Sequence, residues 1–202
     1  MAYIEVIHPD QAEGNLAEIF QKVRGPGGQV DNVLQIHSLR PHTLLGHLGL
    51  YKAVLHHPGN RLPKWFLESM GVLVSRLNGC GYCVRHHSAG LKRLLSGKPK
   101  RYEALLAQLH SALPGPPFDP AQLEALAYVR KLTLTPGAVG QEDIELLRAR
   151  GFDDGEILEI NQVASYFAYA NRTVAGLGVS TAGEQLGLSP EDSSDPDNWK
   201  HG

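Results

Sequence analysis

Between its glycine and proline breaks, the chain places apolar residues three and four positions apart, and it sustains no apolar–polar alternation of period two. That spacing predicts amphipathic helices rather than strands. An opening helix is expected from Gln11 to Arg24, where Gly25-Pro26-Gly27-Gly28 stops it with residues that do not propagate a helix. Pro41 suits a first helical position, and Leu44, Leu45, Leu48, Val54 and Leu55 mark the inward side of a helix ending near His57-Pro58-Gly59. The next helix should run from Pro63 to Leu77 and end at Asn78-Gly79, after which Cys80 opens another that reaches Ser96-Gly97. A helix from Pro99 to Leu113 follows, and Asp119 then caps one that carries Leu123, Leu126, Ala127 and Val129. Gly140 to Arg150 reads as a short helix. The last long one, capped by Asp153 or Asp154, passes through Ile157, Ile160, Val163, Phe167 and Val174 toward Gly176.

The fold class is therefore all-α, and 202 residues with 42% hydrophobic positions support a single domain. The helical domain should span 1–186 with its core at about 40–179, and the polar stretch 187–202, rich in Ser, Asp and Pro, reads as a C-terminal arm or tail. Trp199 in that arm is a candidate anchor, against this subunit or a neighbour. Nineteen basic and 21 acidic side chains leave a net charge of -2, with the basic residues scattered. That argues against nucleic acid as a partner. Met1 to Ile7 has no basic lead into a long apolar run, and no 18 apolar residues stand together, so neither a signal sequence nor a membrane partner is expected and the cytoplasm is the expected compartment. In that reducing setting the only two cysteines, Cys80 and Cys83, are read as redox or metal-binding residues before a structural disulfide.

The stretch Glu68 to His87, ESMGVLVSRLNGCGYCVRHH, carries the candidate chemistry. With Cys80 at 0° on a helix, Cys83 falls at about 300° and His87 at about 340°, so the imidazole lies between the sulfurs. His86, at about 240°, falls outside them, while Leu91 and Leu94 extend the same inward stripe and Arg85 and Lys92 point to solvent. A cysteine at a helix start is favoured as thiolate by unpaired N–H groups, and a nearby imidazolium adds to this. A peroxide attacked by one thiolate leaves a sulfenic acid, which the other cysteine condenses to a disulfide with loss of water. Glu68 shares nearly the azimuth of Gly79 one helix earlier, and if that helix folds back its carboxylate can relay protons.

Other readings stand beside this one. A reactive C-x-x-C also exchanges disulfides with other proteins. Cys80, Cys83, His86 and His87 could hold zinc as a redox or zinc-binding oligomeric module, although one continuous helix does not surround a metal tetrahedrally and no metal is expected. Two buried, inert thiols are a third possibility. His47 with Tyr51, and Asn171-Arg172, are read as structural hydrogen-bonding groups. The irregularly spaced His37, His42, His47, His56 and His57 are read as solvated or capping.

The spacing Glu68, eleven residues, Cys80, two residues, Cys83, three residues, His87 resembles the E-x11-C-x2-C-x3-H pattern of alkylhydroperoxidase D. The longer run from Arg40 to His87 resembles the peroxidase-related branch of the carboxymuconolactone decarboxylase-like superfamily, and Gly151 to Val179 is similar to that superfamily's C-terminal helix region. The resemblance implies an all-helical homo-oligomer that reduces an alkyl hydroperoxide through a dithiol/disulfide cycle without a cofactor. It implies Cys83 as the attacking thiolate, Cys80 as the resolving thiol, His87 and Glu68 as a proton relay, and an external thiol or dithiol, protein or small molecule, as reductant. One departure is visible. Studied members carry histidine just before the second cysteine, where this chain has Tyr82, which supplies no positive charge to a thiolate. Members that act as decarboxylases lack the cysteine pair.

Overall fold

The computed structural model describes residues 2–200. Residue 1 of the expected domain and residues 201 and 202 of the expected arm lie outside them. The elements are α1 (Gly14–Lys22), α2 (Asn32–Gln35), α3 (Pro41–Leu55), α4 (Lys64–Leu77), α5 (Gly81–Leu94), α6 (Pro99–Leu109), α7 (Pro120–Leu134), α8 (Gln141–Ala149) and α9 (Asp154–Gly176). Among the described residues there is no β-strand, and no helix is long and apolar enough to cross a membrane.

Caps set most of the boundaries. Asp119 and Asp153 each accept from the backbone three residues on, and Gln122 and Glu156 return the bond to complete capping boxes. Several expectations shift. The opening helix is shorter than Gln11 to Arg24, because Pro9–Gln11 forms a separate 3-10 turn. The helix after Pro99 stops at Leu109 rather than Leu113, and α2 has no counterpart in the periodicity. Leu45 and Leu94, expected inside, are 50% and 43% exposed. Their azimuths were compatible with the core, but no neighbouring helix covers α3 or α5 at those turns. His37, His47 and His56 are buried, not solvated, whereas His42 and His57 are exposed.

α4 is the axle of the molecule. It is buried without a break from Phe66 to Ser75 and packs against α5, α7 and α9. Close approach to α9 depends on Gly71, where an added Cβ would lie 2.2 Å from the Phe167 ring. The polar residues inside α4 all find partners: Ser69 Oγ donates to the Trp65 carbonyl at 2.8 Å, and Ser75 Oγ accepts from Asn171 Nδ2 at 3.0 Å.

The chain after α9 runs back across the outside of α3, α4 and α5. Lys52 Nζ, buried on α3, donates to the carbonyls of Asp195 and Asn198 and stands 5.3 Å over the Trp199 ring. Trp199 itself packs on the cluster formed by α1 and α3. Lys64 pairs with Asp192 at 2.5 Å, and the Ser193 amide donates to the His56 carbonyl at 3.0 Å. Gly187, at φ +76°, lies so close to Ala89 that a Cβ there would meet its backbone at 2.6 Å.

Candidate active site

The turn between α4 and α5 builds the site. Gly79, at φ +69°, sits in the left-handed region that ends α4. The Cys80 amide donates to the Ser75 carbonyl at 2.9 Å and the Gly79 amide to the Arg76 carbonyl at 3.1 Å, which is a Schellman closure. Its last residue, Cys80, is at once the N-cap of α5. One residue therefore ends one helix and begins the next, and α4 and α5 must fold back on each other. That reversal brings Glu68 Oε2 to 2.8 Å from His87 Nδ1. Both partners are largely buried, and Phe167 meets the His87 ring edge-on at 4.5 Å, so the ring is held from a second side.

Cys80 and Cys83 are free thiols, 2% and 5% exposed, with their sulfurs 2.8 Å apart. The pair titrates as a unit. The Cys83 thiol, donating to Cys80, holds the Cys80 thiol down at about 7. The Tyr82 and Cys83 amides and Asn171 add to this against the cost of burial, though no cap of hydrogen-bond geometry forms. Cys83 is pushed up, first by its bond to Cys80, then by burial and by the neighbouring charge. The first negative charge thus rests on Cys80.

A cavity of about 80 Å³ opens onto Cys83. Glu68, His87, Tyr51 and Phe167 form part of its wall, and Leu188 and Trp199 of the C-terminal chain form another. The site residues expected from the sequence come together here, except that Cys80 lies behind Cys83 and does not line the cavity. His47 also lines it, and burial holds this imidazole down at about 3, so it is neutral.

A second polar cluster lies beside the cavity, with Asp31, Tyr82 and His86 in its wall and Glu184 behind them. Glu184, from the C-terminal chain, accepts from Tyr82 Oη at 2.9 Å and from the Asn32 amide, and its other oxygen lies 3.1 Å from His86 Nε2. Tyr82 stacks on His86 with ring centroids 4.5 Å apart. Burial, with Glu184 and Asp31 nearby, pushes the Tyr82 phenol up. Asp31 lies beside this group, its carboxyl raised to about 6 by burial, with His86 opposing and Glu184 assisting. Among the described residues no group of three or more His, Cys, Asp or Glu side chains is arranged to hold a metal ion.

No protein-family model and no curated protein matches the chain. Solved structures do. A peroxidase-related protein from Silicibacter sp. TM1040 is 25% identical with a TM-score of 0.74, covering 89% of this chain and 91% of that one. The chain has an alkylhydroperoxidase D-like fold. An alkylhydroperoxidase AhpD core protein from Ralstonia eutropha JMP134 gives the same TM-score and coverage at 24% identity. The debrominase Bmp8, at 20% identity and a TM-score of 0.63 over 82% of this chain and 84% of its own, shares the fold as well.

Within this fold, three contributors to the site escape the sequence reading. Asn171, assigned there to structural bonding, is fully buried, bonds Ser75 and Asn78, and lowers both thiols. His86 is not outside the site but lines the cavity. Glu184 has no signal in a polar tail. Asn171 alone had one, as an amide in an otherwise apolar helix.

Proposed function

We propose that the protein is a thiol-dependent hydroperoxide reductase in which Cys83 attacks the peroxide, Cys80 resolves, and Glu68 and His87 move the proton. The observation that carries this reading is that Cys83, Glu68 and His87 line one buried cavity. Cys83 passes its proton to His87, its thiolate sulfur takes the outer peroxide oxygen, and the O–O bond breaks. The alkoxide leaves as alcohol with the proton from His87, and Glu68 holds the imidazole in position throughout. The sulfenic acid on Cys83 is then met by the Cys80 thiolate, already 2.8 Å away, and an external thiol or dithiol reduces the disulfide. Charge resting on Cys80 suits this order, because it arms the resolving sulfur while the cavity presents the other.

Burial of both sulfurs speaks against a primary role in exchange with folded protein disulfides, which needs a sulfur at the surface. The active unit is a homo-oligomer in this proposal, with exposed Leu45, Leu50 and Leu158 as apolar surface for it to cover.

One equivalent of an organic hydroperoxide added to the reduced protein should remove both titratable thiols. Cys80→Ser should stop at a stable sulfenic acid and Cys83→Ser should not react. Reaction in Cys83→Ser with none in Cys80→Ser would reverse the roles, and wild-type thiols that persist would end the peroxidase reading.

A further inference from the structure

α5 carries two adjacent histidines, each with its own carboxylate: His87 with Glu68 of α4, and His86 with Glu184 of the C-terminal chain. Only the first pair has work in the cycle described above. The proton account of that cycle leaves one step unserved. In the first step His87 takes a proton from Cys83 and gives it to the alkoxide, so the Glu68–His87 pair ends as it began. In the second step the Cys80 thiolate attacks the Cys83 sulfur, the S–S bond forms, and the S–O bond breaks with its electron pair on oxygen. The departing hydroxide needs a proton. Cys80 has none left to give, and His87 has already spent the one it carried.

We propose that Asp31, standing beside His86 and Glu184 in the wall of the cavity that exposes Cys83, protonates the hydroxide that leaves when the disulfide closes. The inference rests on the peroxidase reading. Asp31 precedes α2 without capping it by a side-chain bond, so its carboxyl is available to the cavity it lines. The ionisable groups that act on it come from three elements. Glu184 of the C-terminal chain keeps a second carboxylate near, His86 and Tyr82 face it from α5, and Tyr51 from α3. Partial burial first, and the Glu184 carboxylate after it, favour retention of a proton on Asp31 against the opposing His86, and that proton is held to a pH where a surface aspartate would have lost it. The balanced step is Cys80 thiolate plus Cys83 sulfenic acid plus protonated Asp31, giving the disulfide, water and Asp31 carboxylate. Solvent returns the proton to Asp31 before the next turnover.

The assignment has a sharp signature. The acid is present below about 6 and the Cys80 thiolate above about 7, so the resolving rate must be bell-shaped, with its maximum between those values. Single-turnover mixing with an organic hydroperoxide, quenched at intervals and assayed for dimedone-trapped sulfenic acid and for disulfide, separates the two steps at each pH. Asp31→Asn, a substitution that keeps a helix-capping residue type, should leave sulfenic acid formation unchanged and slow its disappearance about a hundredfold at the optimum. It should also abolish the alkaline fall, leaving a simple rise with Cys80 ionisation. Glu184→Gln removes the charge that assists burial in raising Asp31, so it should lower the maximum and move the rising limb to lower pH, because with the acid's value below the thiol's the rising limb follows Asp31. A purely structural role for Asp31 moves no limb, so a slower variant that keeps the wild-type bell overturns the proposal, as does an unaltered rate. A wild type that forms no sulfenic acid instead fails at the earlier reading, a result the first step reports by itself.

Discussion

The α4–α5 hairpin and the chain that follows α9 both wall the same cavity, but different forces hold them there. The hairpin is seated by the unbroken burial of α4, the glycine gap at Gly71 and a Schellman turn. The C-terminal chain, apart from Trp199, is held by polar pins: Lys52 on two carbonyls, Lys64 on Asp192, Glu184 on three donors. Apolar burial is lost only when the core opens, whereas each pin can be released singly. The reacting sulfurs thus sit on the side fastened by the core, and the wall beside them is fastened mainly by polar bonds that do not depend on one another.

Acid should sharpen this contrast most. Burial holds His47 and His56, both on or next to α3, down at about 3 from an ordinary 6.5. A depressed histidine contributes stability above its unfolded value and loses it as pH falls toward the folded one, because only the unfolded chain takes the proton. Between pH 7 and pH 5 the loss should be about 2 kcal/mol for each histidine. Urea unfolding midpoints measured across that range would check it, and a flat profile would show that neither ring is neutral in the fold. His56 lies 3.4 Å from Asp192 and accepts from Ser193 through its carbonyl, so the C-terminal chain should loosen before the hairpin does. The hairpin has its own weak point. Gly71→Ala pushes a methyl group into the Phe167 ring and should cost up to about 3 kcal/mol. Because Phe167 also holds His87, the rate of sulfenic acid formation should fall with the melting temperature, and a stable variant of unaltered rate would detach Phe167 from the site.

What is legible in the sequence divides along the same line. The hairpin is written locally: apolar spacing gives the helices, Asn78-Gly79 gives the reversal, and azimuth with the E-x11-C-x2-C-x3-H resemblance points Glu68 toward His87 once the helix folds back. The second wall is not, since Glu184 meets Asn32 across 152 positions and Tyr82 across 102, and nothing in a polar tail marks which of its carboxylates will be buried. Tyr82 makes the point from the other direction. Taken alone it is a lost positive charge beside a thiolate, whereas in the fold its hydroxyl serves Glu184 and the Cys80 charge is stabilised by Cys83, backbone amides and Asn171. The exposure of Leu45 and Leu94 and the burial of His37, His47 and His56 share one cause. A helix's own periodicity names its faces, but only the neighbouring elements decide which face is covered and how far along.

The smallest of the expected effects tests the pins themselves. Lys52 is buried with an ammonium whose partners among the described residues are the Asp195 and Asn198 carbonyls and the Trp199 ring. Lys52→Met keeps the apolar stem and removes the charge, so the loss should be about 2 kcal/mol from charge-assisted bonds, reduced by whatever the buried ammonium cost in desolvation. If the pins hold the C-terminal chain, that loss should appear locally. Amide exchange at Glu191, Ser193 and Asn198 should accelerate and Trp199 emission should shift toward that of a solvated indole, while the α4 amides exchange as before. Slow exchange retained in the variant would mean that Trp199 on the α1–α3 cluster holds the chain by burial alone. The two walls of the cavity would then be fastened alike, and the C-terminal wall could open only together with the core beneath it.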